Sequence, residues 1–406
     1  MPSDRQRKRP GFVGGIRRLA TVISLLLVLL IAAAWWASRP ATPDAFYDPP
    51  AQPPAEAGAL LRSEPYTRDV PAGARAWRIL YTTTRIDNAP TVASAIVVAP
   101  AQDAGAPRPV IAWAHGTTGI VPGCAPSLMA PFDNVPAFDK VAGEGWAYVA
   151  ADYVGLGTRG GHAYLIGDDA ARAVLDAVRA VRQLQGLTLD NRVVVWGHSQ
   201  GGNSALWTGM RAQAYAPDVN VAGVAALAPA TDLAALFSGN RSSMFGKIVS
   251  SLLVKAYSAT YRDLDEAALV HGRARLIAAD IASRCVGGVG TLFSVLETRL
   301  LPRDGIFIAD PATGALGARL QQNTPTAPIA APVLIGQGQA DDVVLPALQG
   351  RYVADRCAAG QPIDYRTYAG RDHVSLVALD SPASADLVAW TRDRLAGRPA
   401  ASTCGR

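Results

Sequence analysis

A mostly parallel α/β sheet of about eight strands, helices on both faces and a helical cap are predicted by three observations. Strand-like segments recur at 76–82, 92–99, 110–114, 146–151, 193–196, 221–228, 332–336 and 363–368. Helical periodicity lies between them, most clearly as Ala171, Val174, Leu175, Val178 and Val181 within 169–184. Alternating strand and helix gives a parallel sheet covered on both sides by its crossovers. Finally, a stretch rich in helix formers, about 232–328, separates the sixth strand from the seventh. At the end of the sheet where pockets are built, such an insertion is expected to be a cap or lid. The 406 residues, 50% hydrophobic and 17% charged, suit one large globular unit of this kind.

The N-terminus stands apart. Arg5, Arg7, Lys8, Arg9, Arg17 and Arg18 against Asp4 account for the whole net charge of +5. The remainder therefore sums to zero and carries no electrostatic footprint for nucleic acid. The uncharged run from Leu19 to Ser38 is long enough to span a bilayer, and Trp35 and Trp36 suit an interfacial belt. Ala32-Ala33-Ala34 equally offers small residues to a signal peptidase. A signal anchor and a cleaved signal peptide both fit residues 1–38, and either places the rest outside the cytoplasm, secreted or anchored. Six prolines, at positions 40, 43, 49, 50, 53 and 54, mark 39–56 as a linker. The folded unit is then expected over 57–406.

Two loops follow early core strands. The run 110–114 ends in His115-Gly116-Thr117-Thr118-Gly119, and 146–151 ends in Asp152-Tyr153-Val154-Gly155-Leu156-Gly157. Residues 155–160 nominally satisfy the dinucleotide G-x-G-x-x-G pattern, but the context fails. A nucleotide-binding turn opens a helix at once, whereas His162-Ala163-Tyr164-Leu165-Ile166-Gly167 intervenes, and no acidic residue ends a second strand about twenty residues on. The expectation is a glycine-rich loop over the mouth of a site, with Tyr153 and Gly155 contacting substrate.

The run 193–196 leads into Gly197-His198-Ser199-Gln200-Gly201-Gly202, and Asn203-Ser204-Ala205-Leu206-Trp207 continues as a helix. Strand, G-x-S-x-G and helix in this order make a nucleophile elbow, the mark of an α/β-hydrolase fold, in which a strained turn exposes the serine. A serine needs a histidine to take its proton and a carboxylate to orient that histidine, in the chain order Ser, acid, His. Of the two histidines after Ser199, His271 lies in a helix-like stretch of the insertion, while His373 lies in a loop just past the strand 363–368. His373 is therefore the candidate base. The turn after 332–336 holds Asp341 and Asp342, and the spacing from Gly338 favours Asp341 as the orienting acid. Asp342 and Asp372 read as loop or capping charges. The oxyanion needs backbone N–H donors, assigned to Gln200 and Thr117. His115 is read as bracing its loop, and His198 as packing or orienting.

Through residues 115–119, 152–157, 197–202 and Ala340-Asp341-Asp342-Val343-Val344, the chain resembles the secretory lipase family, the lipase A-like α/β-hydrolases. The likeness runs from about residue 60 to the C-terminus. Its most specific element is the Asp-Tyr-x-Gly-Leu-Gly loop followed by His162-Ala163-Tyr164 and a helix, since many hydrolases share the elbow. The resemblance implies hydrolysis of carboxylic esters, commonly lipid esters, by serine, aspartate and histidine under a helical lid, and it supports Ser199, Asp341 and His373 in those roles.

The four cysteines have no C-x-x-C spacing, so no metal site is indicated, and two disulfides fit an oxidising compartment. Of three possible pairings we favour Cys357–Cys404, holding the C-terminal tail, and Cys124–Cys285, tying the oxyanion-side loop to the insertion; the sequence leaves the pairing open. Apolar residues on several faces of 243–254, Phe245, Leu252 and Leu253 among them, are expected to form an acyl- or lipid-binding surface. The reading is an exported ester hydrolase needing no cofactor, with a lipid interface as a further partner. An acyltransferase or a short-chain esterase with the same triad, and a non-catalytic surface protein, are the alternatives.

Overall fold

The computed structural model describes residues 12–102 and 105–405, with side chains from Arg17 onward. Asp4, Arg5, Arg7, Lys8 and Arg9 lie outside the described residues. Nine strands form one sheet: β1 Leu60–Tyr66, β2 Ala74–Thr84, β3 Pro90–Pro100, β4 Arg108–Ala114, β5 Ala147–Ala151, β6 Leu189–His198, β7 Asn220–Leu227, β8 Val333–Gly338 and β9 Ile363–Tyr368. Their spatial order is β1-β2-β3-β5-β4-β6-β7-β8-β9. Pairing is antiparallel from β1 to β5 and parallel across the remaining neighbours. The eight expected strands are all present, and β1 is additional. Its Leu-Leu-Arg-Ser-Glu-Pro-Tyr sequence is mostly exposed along the sheet edge, where charge and a proline are tolerated, so it lacks the apolar run that marks the buried strands.

The helices are α1 Phe12–Ala37, α2 Phe138–Val141, α3 Gly167–Val181, α4 Gln200–Tyr215, α5 Leu233–Asn240, α6 Met244–Thr260, α7 Glu266–Leu269, α8 Ala274–Ala282, α9 Gly288–Glu297, α10 Gly314–Gln322, α11 Pro346–Ala358 and α12 Pro382–Leu395. One face of the sheet buries Val97, Val110, Val149 and Val195 beneath α3 and α4. The other packs Trp113, Tyr148 and Trp196 against Leu387, Val388 and Trp390 of α12. Trp196 Nε1 also donates to Thr391 Oγ1 at 3.0 Å. Strands buried on both faces must be apolar throughout, which is why β3 to β8 read as continuous runs.

The insertion, α5 to α10, has its own core. Leu252 and Leu253 are fully buried there with Ile248, Val254, Ile306 and Leu320. This corrects the expectation for Leu252 and Leu253, which serve the cap core, while Phe245 at the start of α6 does border the cavity at Ser199. A helix apolar all round is a buried helix, and neighbouring cap elements wrap this one.

The segment 39–56 is also not a free linker. Asp44 caps the turn Ala45–Tyr47 and pairs with Arg78 at 2.8 Å. Phe46 and Tyr47 are buried against Leu80 and Val92, and Tyr47 Oη lies 2.9 Å from Ser127 Oγ. The packed part of the chain therefore begins near Ser38, two aromatic anchors having been hidden in a proline-rich stretch. Ahead of it the apolar stretch Arg17–Ala37 of α1 stands unburied. The cysteines pair as Cys124–Cys285 and Cys357–Cys404, with Cα–Cα distances of 5.2 and 5.4 Å.

Candidate active site

Parallel pairing brings the C-terminal ends of β4, β6, β8 and β9 to one edge of the sheet, with Ala114 beside Gly197 and Gly338 beside Tyr368. The loops that follow carry Thr117, Ser199, Asp341 and His373. Ser199 sits at φ 58°, ψ −119°, between β6 and α4. A non-glycine residue in such a conformation costs about 1–3 kcal/mol and persists only where its surroundings fix it. Here Ser199 N donates to Leu227 O at 3.0 Å, and Ser199 O accepts from Asn203 N and Ala230 N at 3.1 and 3.2 Å. The flanking glycines serve close approach: a Cβ on Gly197 would lie 2.0 Å from Gly201 O, and one on Gly201 would lie 1.9 Å from Ala114 O.

Ser199 Oγ is 2.8 Å from His373 Nε2, and His373 Nδ1 is 2.8 Å from Asp341 Oδ2. Asp341 Oδ1 accepts from Val343 N and Val344 N at 2.9 and 2.8 Å, and Gln337 Nε2 donates to Oδ2 at 3.1 Å. Asp341 is buried and Asp342 exposed. Asp372 turns away from the site: its Oδ1 accepts from Val374 N and Ser375 N at 3.1 and 2.7 Å. Hydrogen bonds from Ser375 hold its pKa below the usual carboxylate value. His271, with its N bonded to Ile306 O, stays within the cap.

His198 Nε2 donates to His373 O at 2.8 Å, and the two rings are 4.7 Å apart. Burial lowers the His198 pKa to about 3, which keeps the ring neutral where it packs against His373. His115 braces its loop, its ring nitrogens lying 2.6 Å from Gly116 O and 3.3 Å from Asp152 O. Burial lowers its pKa to about 4.

Tyr153 and Gly155 require a correction. Neither lines the cavity around Ser199. Tyr153 is buried between the His115 and His162 rings, at 4.3 and 5.7 Å, and donates to His115 O at 3.1 Å. A Cβ on Gly155 would lie 2.3 Å from the Gly161 backbone, and one on Gly157 would strike Tyr47. The glycine loop therefore folds inward as packing and does not cover the mouth. His162 completes this layer: it donates through Nδ1 to Val154 O at 3.2 Å and accepts at Nε2 from Gln200 Nε2 at 3.0 Å.

Gln337, His162 and Tyr164 contact Asp341, Gln200 and Thr117, neighbours for which the sequence reading gave no indication. Tyr164 Oη lies 3.0 Å from Thr117 Oγ1 and so positions the loop proposed for the oxyanion. The signal available for Gln337 was a buried amide in an otherwise apolar strand.

A cavity of about 800 Å³ exposes Ser199, His373, Thr117 and Phe245. A second, narrow limb of about 30 Å³ runs beneath the cap from Ser199 between Leu236, Phe237, Phe245, Val249 and Val344. No cluster of three His, Cys, Asp or Glu residues suited to a metal occurs among the described residues.

The secretory lipase pattern matches residues 138–403, covering the elbow, the cap, the acid loop and the histidine loop. The chain belongs to the secretory lipase family. A secreted triacylglycerol lipase of Malassezia globosa is 27% identical over 395 residues, covering 89% of this chain and 82% of that protein. A probable inactive lipase of Mycobacterium tuberculosis is 27% identical over 400 residues, covering 89% and 84%. In structure the chain is similar to Candida antarctica lipase A in its closed state, with a TM-score of 0.74, 20% identity and coverage of 89% and 88%. It is also similar to a rice cell wall degrading esterase of Xanthomonas oryzae, with a TM-score of 0.65, 21% identity and coverage of 84% and 97%. These likenesses establish the α/β-hydrolase fold. Family membership makes the protein a carboxylic ester hydrolase by kinship, and the family and the N-terminal apolar helix together point to export.

Proposed function

We propose that the protein is an exported serine hydrolase that cleaves lipid or other carboxylic esters through an acyl-enzyme. The observation that carries this reading is the unbroken chain Ser199 Oγ, His373 Nε2, His373 Nδ1, Asp341 Oδ2, with both contacts at 2.8 Å. Ser199 Oγ attacks the ester carbonyl while His373 Nε2 takes its proton. The negative oxygen of the tetrahedral species is received by the backbone N–H groups of Gln200 and Thr117. His373 then protonates the leaving alkoxide, and the acyl group remains on Ser199. Water, giving one proton to His373, attacks the acyl-enzyme carbonyl; as the bond to Ser199 Oγ breaks and the acid leaves, His373 returns that proton to Oγ. Throughout, Asp341 keeps Nδ1 protonated and balances the imidazolium charge.

Kinship to a protein described as a probable inactive lipase makes turnover the test. Ser199→Ala should lower kcat on p-nitrophenyl acetate by ~10⁴-fold or more and abolish labelling by an organophosphonate, with the fold intact. Stoichiometric labelling at another serine would overturn the reading.

The narrow limb supports a second reading on substrate, a short-chain esterase. Its walls, Leu236, Phe237, Phe245, Val249 and Val344, close in beside Ser199 and suit a short acyl group. A panel of p-nitrophenyl esters of rising acyl length, with emulsified triacylglycerol in parallel, separates the two.

A further inference from the structure

We propose that α1 remains attached as a membrane anchor and that α9 lies beside it on the same bilayer, so that the Ser199 cavity opens at the membrane surface and receives amphiphilic esters from it. This rests on the esterase reading above.

Three observations meet at one end of the molecule. The apolar stretch Arg17–Ala37 is unburied, and its 21 residues span about 31 Å as a helix, the thickness of a hydrocarbon core. Its end is nevertheless fastened. Ser38 is buried, a Cβ on Gly290 would lie 3.5 Å from Ser38 O, and one on Gly123 would lie 2.0 Å from Ala41 O. Residues 37–41 form part of the wall of the same 800 Å³ cavity that exposes Ser199 and His373. The exit of the apolar helix and the entrance to the site are thus one surface.

That surface continues along α9, which touches α1. Val289, Leu292 and Leu296 of α9, and Leu300 in the single 3-10 turn Thr298–Leu300 that extends it, are exposed at 44, 58, 46 and 72%. Spaced by three and four residues, they form one stripe, while Gly290 and Ser294 face the cap. Leucines exposed in such a row call for an apolar partner, and the helix beside them already requires a bilayer. At the same end, the Arg39 guanidinium lies 4.4 and 4.7 Å from the Trp35 and Trp36 rings. This pairing of cation and indoles suits the headgroup layer. The wide limb of the cavity, reaching this end, receives the alcohol part of the ester, and the narrow limb receives the acyl group.

The test uses the full chain reconstituted in vesicles of phosphatidylcholine and phosphatidylglycerol. Hexadecyl acetate dissolved in the vesicles is compared with p-nitrophenyl acetate in water. The triple variant Leu292→Gln, Leu296→Gln, Leu300→Gln alters no residue lining the cavity. It should lose at least about tenfold on hexadecyl acetate and nothing on p-nitrophenyl acetate. Equal rates for variant and wild type on both esters would overturn the proposal, as would an equal loss on both. Burial of the stripe in a dimer of this chain, measured without vesicles, would also overturn it. Failure of the wild type on both esters would overturn the esterase reading itself. Independently of activity, mass spectrometry of the exported protein should find residues 17–37 in the membrane fraction; a mature N-terminus at or beyond Trp35 would refute retention.

Discussion

Both oxygens of Asp341 are engaged by His373, Gln337 and two backbone N–H groups. Its neighbour Asp342 is exposed. Burial and full hydrogen bonding fix the first carboxylate against His373 Nδ1, and water screens the second. Asp341→Asn should therefore lower kcat on p-nitrophenyl acetate by ~10³–10⁴-fold, and Asp342→Asn by less than about tenfold. Steady-state kinetics on the two variants decide between them, and a reversed order would move the acid by one residue. The spacing from Gly338 points to Asp341 in the sequence, because turn geometry is local, and in the structure this is the carboxylate 2.8 Å from His373 Nδ1. Gln337 was not legible, since its partner is reached only after the chain reverses. Tyr153 shows the same limit from the other side: its motif marks the family in sequence, but only the ring stack with His115 and His162 reveals that it packs and does not bind.

Among the elements, α6 separates two roles that apolar composition alone confuses. Leu252 belongs to the cap core, whereas Phe245 borders both limbs of the cavity. Leu252→Ala should cost ~2–5 kcal/mol of stability in urea titration and leave acyl preference unchanged. Phe245→Ala should instead raise kcat/KM for octanoate relative to acetate esters by about tenfold or more, since room for even one further methylene in an apolar pocket is worth about 1–3 kcal/mol. A shift in preference for Leu252→Ala would show that the cap core, and not the cavity wall, sets selectivity. Strands β3 to β8 were legible because burial on both faces demands continuous apolar runs, and β2 and β9 because β-branched and aromatic residues mark them even where they alternate with charge. Edge strand β1 was hidden, with its charges facing water, and so was the docking of Phe46 and Tyr47, whose contacts on Leu80 and Val92 lie far along the chain.

At the scale of the whole molecule, acid stability follows from buried histidines. Burial lowers the His162 pKa from 6.5 to about 3. The unfolded chain therefore binds a proton that the folded chain refuses, and the stabilisation present above the unfolded pKa is lost as pH falls from about 6 toward 3. His162→Gln should flatten the fall of stability between about pH 6 and pH 4 by ~1.4 kcal/mol per pH unit. Urea midpoints across that range, set against wild type, measure the difference; an unchanged slope would mean that His162 titrates normally. Both disulfides add to the global balance, and loss of the Cys357–Cys404 link should cost ~2–4 kcal/mol by the same titration. The distance along the chain between the reacting groups has its own consequence. His373 follows Ser199 by 174 residues and Asp341 by 32. A polypeptide crossing a membrane N-terminus first delivers its serine long before its base, with the entire cap still to come between them. Until β9 has joined the sheet, the loop that carries His373 has no fixed place beside β6, and Ser199 is an ordinary alcohol.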